Sequence, residues 1–155
     1  MKKHCLLFLL ILTIVTGVTV SALAQTNQNK PQKIYINKKG GIYNQEGTKL
    51  GYIDKDNIVR NSEGAKLYFI DKKGNVIGAN GEKLGLAKKN GSYYNADGMI
   101  VLNTKDIDKE KCAILDPQGH NLGNIHKNYK LHACAAHCFW LEQKKEKEAK
   151  AKAKS

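Results

Sequence analysis

Glycine spacing constrains this chain more than any other feature. Gly40, Gly47, Gly64, Gly74, Gly81, Gly91 and Gly98 follow one another at steps of 7 and 10, with Asn57 in the one slot that lacks a glycine. Five of these glycines close four-residue groups opened by Asn37, Asn44, Asn61, Asp71 or Asn95. Asn or Asp at the first position accepts local backbone hydrogen bonds, and glycine at the last takes a left-handed backbone, so each group reads as a tight turn. The chain is a ladder of turns joined by short extended segments. No catalytic or ligand motif sits on that ladder.

A longer period lies over the turns. Taking Gly47, Gly64, Gly81, Gly98 and Gly119 as anchors, the steps are 17, 17, 17 and 21. Five residues before each anchor stands Ile42, Val59, Val76, Tyr93 or Ile114, and three after it Leu50, Leu67, Leu84, Val101 or Leu122. Six after it stands Ile53, Ile70, Ala87, Thr104 or Ile125. A fixed period marks a repeat architecture, with units at about 42–58, 59–75, 76–92, 93–113 and 114–128. Apolar residues alternate with polar or small ones, so each unit reads as a short β-hairpin that cannot bury its apolar columns alone. Stacked around an axis, five units bury the three columns together. Gly51, Gly85 and Gly123, four past their anchors, mark places where a side chain does not fit. Lys33 to Gly40 matches Tyr68 to Gly74 in pattern and reads as the second strand of a half-unit before the first hairpin, and Tyr129-Lys130-Leu131 reads as the start of a sixth unit. These terminal strands are expected to close the ring and hide its edges. The fourth unit carries four extra residues before Cys112. A tolerated surface insertion bearing a disulfide at Cys112 is the plainer reading of it, and a functional loop the sharper one.

The ends differ in kind. Lys2, Lys3 and His4 precede an apolar run from Cys5 to Val20 and a small-residue site, Ala22-Leu23-Ala24, so residues 1–24 read as a secretory signal peptide. Residues 25–32 form a polar leader, 33–141 the repeat domain, and 142–155 a basic, low-complexity tail with six Lys and three Glu. The formal net charge is +12. In a cytosolic protein such a balance points to nucleic acid; an exported one meets envelope polysaccharide and anionic polymer instead. Lysines scattered at turns also protect strand edges. After signal cleavage no membrane span is expected. Export leaves Cys112, Cys134 and Cys138 in an oxidising compartment, with a bridge from Cys112 to one of the other two expected, since Cys134 and Cys138 are helical neighbours.

Units of the form IYN-x-x-G-x-K-L-G-Y-I, followed by an Ala-rich segment with Ala133, Ala135, Ala136, Phe139 and Trp140, resemble the bacterial exported proteins called five-fold β-flower proteins. The resemblance spans about 34–141. It implies an all-β ring of five hairpins in a secreted or periplasmic protein of unassigned activity. The insertion in the fourth unit, and His and Cys inside the Ala-rich segment, depart from that pattern.

Reactive side chains are dense in one place only, His132-Ala-Cys134-Ala-Ala-His137-Cys138. On a helix Cys134 and Cys138 share a face, and with His132 and His137 they form a candidate Zn²⁺ or Cu⁺ set. It lacks the CxxC turn of a structural zinc site. Packing of small and apolar residues against the ring is the competing account, with a strand of alanines along the axis as a variant. Seven tyrosines and the lone Trp140 offer stacking faces for sugars, although core or edge packing explains Tyr43 and Tyr94 as well. Acidic residues fall at turns, and the periodic glycines are not a phosphate cradle. No catalytic residue and no cofactor are assigned. The expectation is an exported, non-enzymatic structural or interaction protein of the bacterial envelope, periplasmic or secreted. A glycan- or anionic-polymer-binding module and a metal-binding periplasmic protein are the alternatives. Nucleic acid is not an expected partner.

Overall fold

The computed structural model describes residues 32–153. The signal segment and residues 25–31 of the leader lie outside the described residues. Eleven strands form a closed barrel: β1 (Ile34–Ile36), β2 (Gly41–Asn44), β3 (Lys49–Ile53), β4 (Ile58–Asn61), β5 (Lys66–Ile70), β6 (Asn75–Gly78), β7 (Lys83–Ala87), β8 (Tyr93–Asn95), β9 (Ile100–Asp106), β10 (Lys111–Leu115) and β11 (Asn121–His126). A broken 3-10 helix, Lys127–Cys134, and the helix α1, Ala135–Ala153, follow. Every neighbouring pair is antiparallel except β1 and β11, which run parallel and close the wall, Ile34 opposite Gly123 and Ile36 opposite Ile125. Among the described residues no helix is long and apolar enough to cross a membrane.

The turn chemistry read from the sequence is present in atomic detail. At Asn37, Asn61, Asp71, Asn95 and Asp116 the side-chain Oδ1 accepts from the backbone N–H groups two and four residues on. Asn57, in the slot without a glycine, adopts a φ of 59°.

Strands β2 to β11 fall into five consecutive hairpins, and each hairpin carries a β-bulge at the same place. The register slips between Ile42 and Tyr43, Val59 and Arg60, Val76 and Ile77, Tyr93 and Tyr94, and Ile114 and Leu115. The extra residue on the facing strand is Leu50, Leu67, Leu84, Val101 or Leu122. This corrects one expected core column. The bulge takes these residues out of strict alternation, and they are half-buried against the core's margin rather than inside it. The column Ile42, Val59, Val76, Tyr93 and Ile114 is fully buried. Each large aliphatic side chain in it stabilises the barrel by about 1.5–3 kcal/mol.

The next interior layer alternates in size around the wall: Gly51, Tyr68, Gly85, Leu102, Gly123. At the glycines a neighbouring strand's backbone approaches too closely for a side chain; a Cβ on Gly123 would collide with the Ile34 carbonyl, and one on Gly51 with that of Arg60. The space left on the axis is filled by His132, Ala133, Cys134, Ala135, Ala136, Cys138 and Phe139.

One further expectation is corrected. Tyr129-Lys130-Leu131 begins no sixth unit; it lies in the 3-10 helix, because β1 already occupies the pairing edge of β11. The basic tail continues α1 as far as Ala153. Alanine, lysine and glutamate are strong helix formers, and Glu142 and Lys145 pair along the helix at 3.0 Å.

Gly123→Ala is expected to cost about 3 kcal/mol or more, since backbone rather than a movable side chain blocks the Cβ. Gly47→Ala, with φ +80° and open space around it, is expected to cost only about 1–2 kcal/mol. Urea unfolding of both variants checks the contrast; equal losses would remove the close-approach account.

Candidate functional site

The four residues of the candidate metal set lie in the segment that plugs the barrel axis, residues 132–139, where Cys134 and Cys138 hydrogen-bond each other and the two histidines face different aromatic rings. His132 faces Tyr68 and Tyr129, with ring centroids 6.3 and 6.5 Å away. His137 faces Tyr93 and Trp140 at 5.6 and 5.7 Å. Between them Cys134 Sγ lies 3.5 Å from the Tyr68 hydroxyl. Tyr93 donates to the Leu84 carbonyl at 2.8 Å. Among the described residues no group of three or more His, Cys, Asp or Glu side chains is placed to hold a metal ion.

The electrostatics favour the neutral forms of His132, His137, Cys138, Tyr68 and Tyr93. Burial pushes the His132 pKa down to about 4, and its Nδ1 has no hydrogen-bond partner. Burial also lowers His137. The hydrogen bond with Cys134, followed by burial, raises the Cys138 thiol, and burial raises Tyr68 and Tyr93. The imidazolium forms of His132 and His137 and the thiolate of Cys138, which nucleophilic catalysis would use, are disfavoured.

Cys112 corrects the expected disulfide. All three described cysteines are free. Cys112 Sγ donates to Asp106 Oδ1 at 3.1 Å, across the β9–β10 pair. Asp106 also receives Lys127 and Lys130, each at 3.0 Å, and the Lys127 N–H donates to the Glu110 carbonyl. The thiol's hydrogen bond and then the two lysines hold the Asp106 carboxyl far below the usual carboxylate range. The four-residue insertion thus lengthens β9 and fastens the entry of the plug to the wall. Cys112 is occupied by that fastening rather than by another sulfur.

The outward surface carries its own order. At the seams between hairpins the outward pairs are Tyr35 with Tyr43, Tyr52 with Arg60, Phe69 with Ile77 and Leu86 with Tyr94. Tyr43 and Tyr94 therefore lie on the outside of the barrel, half-buried, and the core tyrosines are Tyr68 and Tyr93. At three seams a lysine ammonium covers the ring: Lys49 over Tyr52 at 5.2 Å, Lys66 over Phe69 at 4.5 Å, Lys88 over Tyr94 at 4.7 Å. Among the described residues no lysine covers Tyr35 or Tyr43. The period was readable from the sequence, but the outward direction was not, because the bulge changes the side-chain parity partway along each hairpin.

Compared with protein-family models, curated proteins and solved structures, the chain matches none.

The neutral, buried His132 gives a pH test. An unfolded histidine titrates near its ordinary value and takes up a proton first on acidification, so stability falls as pH drops from 7 towards 4. The His132 contribution to that loss between pH 7 and pH 5 is about 2 kcal/mol. Urea unfolding at the two pH values, beside His132→Leu, reads it out: the variant's pH dependence is expected to be shallower by that amount. An unchanged slope would mean that His132 does not titrate as a buried group.

Proposed function

We propose that this protein is exported and acts as a non-enzymatic interaction protein of the bacterial envelope, built as a five-fold β-flower. The five bulged hairpins at a common period support the architectural part of that reading. The N-terminal basic, apolar and small-residue succession supports export. The observation that carries the interaction reading is the outward row of paired seams, with an aromatic ring at each of four of them.

Catalysis is the weaker reading because the reactive groups are already engaged. Asp54, Asp71, Asp108 and Asp116 each accept backbone N–H groups in turns. Burial favours the neutral forms of both histidines of the plug, of which His132 is enclosed and His137 half-buried, and its thiols are buried. The outer surface is where variation between repeats meets solvent, and a repeat scaffold recognises partners through such a surface.

Intact mass spectrometry of the full chain expressed in a bacterium, fractionated into cytoplasm, periplasm and medium, tests the export part. Loss of residues 1–24 and recovery outside the cytoplasm is the expected result; a full-length cytoplasmic product would sink it. For the interaction part, cross-linking in isolated envelopes is expected to capture envelope components. Tyr52→Ser combined with Phe69→Ser is expected to reduce that capture by about fivefold without a matching loss of stability.

A further inference from the structure

We propose that the open seam at Tyr35 and Tyr43 is a binding site for a neutral saccharide, one or two pyranose units at a time. This rests on the interaction reading and names its ligand class. The seam opens into a cleft of about 330 Å³ lined by Tyr35, Tyr43, Asn124, Glu110, Lys111 and His126. That volume is at the small end of ligand pockets and suits a mono- or disaccharide.

Three observations converge on it. Tyr43, Tyr35 and Asn124 stand side by side across β2, β1 and β11, since Tyr35 pairs with Tyr43 on one side and with Asn124 on the other. The two rings are the uncovered pair of the outer row. Gly41 lets the Tyr43 ring lie against the chain, because a Cβ there would be 2.8 Å from Tyr43 Cε2. At the floor, Asn124 Oδ1 is buried and has no hydrogen-bond partner. An unpaired buried acceptor is costly, and a turn of the Asn124 side chain that brings this oxygen to the cleft lets a ligand donor remove that cost.

A pyranose matches this set. Its C–H face lies on a tyrosine ring, and its hydroxyls donate to Asn124 and Glu110 and accept from Lys111. Other occupants match less well. An extended peptide adding a strand needs a free edge, and the closed barrel has none between β1 and β11. A polyanion would meet Lys38 and Lys111 but also the Glu110 carboxylate, and the salt dependence of binding separates it from a neutral sugar.

The test is isothermal titration of the full chain with chitotetraose, cellotetraose and maltotetraose, at about 0.05 M and about 0.5 M salt. At least one tetrasaccharide is expected to bind, with affinity changing less than about twofold between the two salts. Tyr35→Ala and Asn124→Ala are each expected to weaken that binding by about fivefold or more, while Tyr35→Phe, which keeps the ring, stays within about twofold. Thermal melting of each variant separates lost binding from lost folding, with Tyr43→Ala as the second ring variant should Asn124→Ala unfold. Binding of none of the three sugars, or binding indifferent to Tyr35→Ala and Tyr43→Ala, overturns the site. So does binding abolished by salt. Envelope capture that persists in the same preparation would then leave the broader interaction reading standing.

Discussion

The parallel pairing of β1 with β11 is the interaction on which the rest of the structure depends. Hairpins joined in sequence make an open, twisted sheet with two unpaired edges. The short strand Ile34–Ile36 pairs with β2 on one side and β11 on the other, and removes both edges at once. Closure in turn fixes the interior volume. The approach of Ile34 to Gly123 is so close that only a glycine fits, so the closing seam is also where the wall tolerates least change.

Once the wall is closed, the interior has to be filled, and the repeat alone does not fill it. The Gly–Tyr–Gly–Leu–Gly layer leaves room beside its small members, and the plug enters there; Phe139 Cζ lies 3.1 Å from where a Gly51 Cβ would be. A chain segment on a barrel axis has to be narrow, which explains Ala133, Ala135 and Ala136. It also has to leave few unpaired polar groups. Cys134 meets that requirement against Tyr68, whereas His132 does not meet it at Nδ1, which is buried and unpaired. The ion pairs of Asp106 with Lys127 and Lys130 hold the plug at its entrance, where the chain leaves β11.

The period, the turns and the buried column from Ile42 to Ile114 were legible in the sequence, because each is a local or strictly repeated signal. So was the crowding at Gly51, Gly85 and Gly123, although the crowding group is the neighbouring strand's backbone rather than side chains on the axis. What escaped the sequence depends on non-local geometry. The leucine column looks like core at one-dimensional resolution, and the bulge that displaces it is a property of the pairing. Tyr129-Lys130-Leu131 has the pattern of a strand, yet β11 has no edge left to pair with it. Cysteine count and an expected oxidising compartment favour a bridge, whereas the fold sets Cys112 against Asp106 and Cys134 against Tyr68. The outward tyrosines were indistinguishable from core ones, since Tyr93 and Tyr94 are sequence neighbours on opposite faces of the same strand.

That last pair points to how the fold divides its work. Inward positions are held to narrow choices by the wall's spacing and by the plug. Outward positions at equivalent places in the repeat hold Tyr43, Arg60, Ile77, Tyr94 and Leu115, so the same geometry accepts very different side chains there. A scaffold of this kind can change what its surface touches without disturbing its core. The β1 seam goes furthest in that direction. As a half-unit, β1 meets β11 in parallel, a pairing found nowhere else in the wall. It is there that the outer surface sinks into a cleft and leaves two tyrosine rings uncovered. The strand that closes the barrel is thus also the one whose outer face departs most from the repeat.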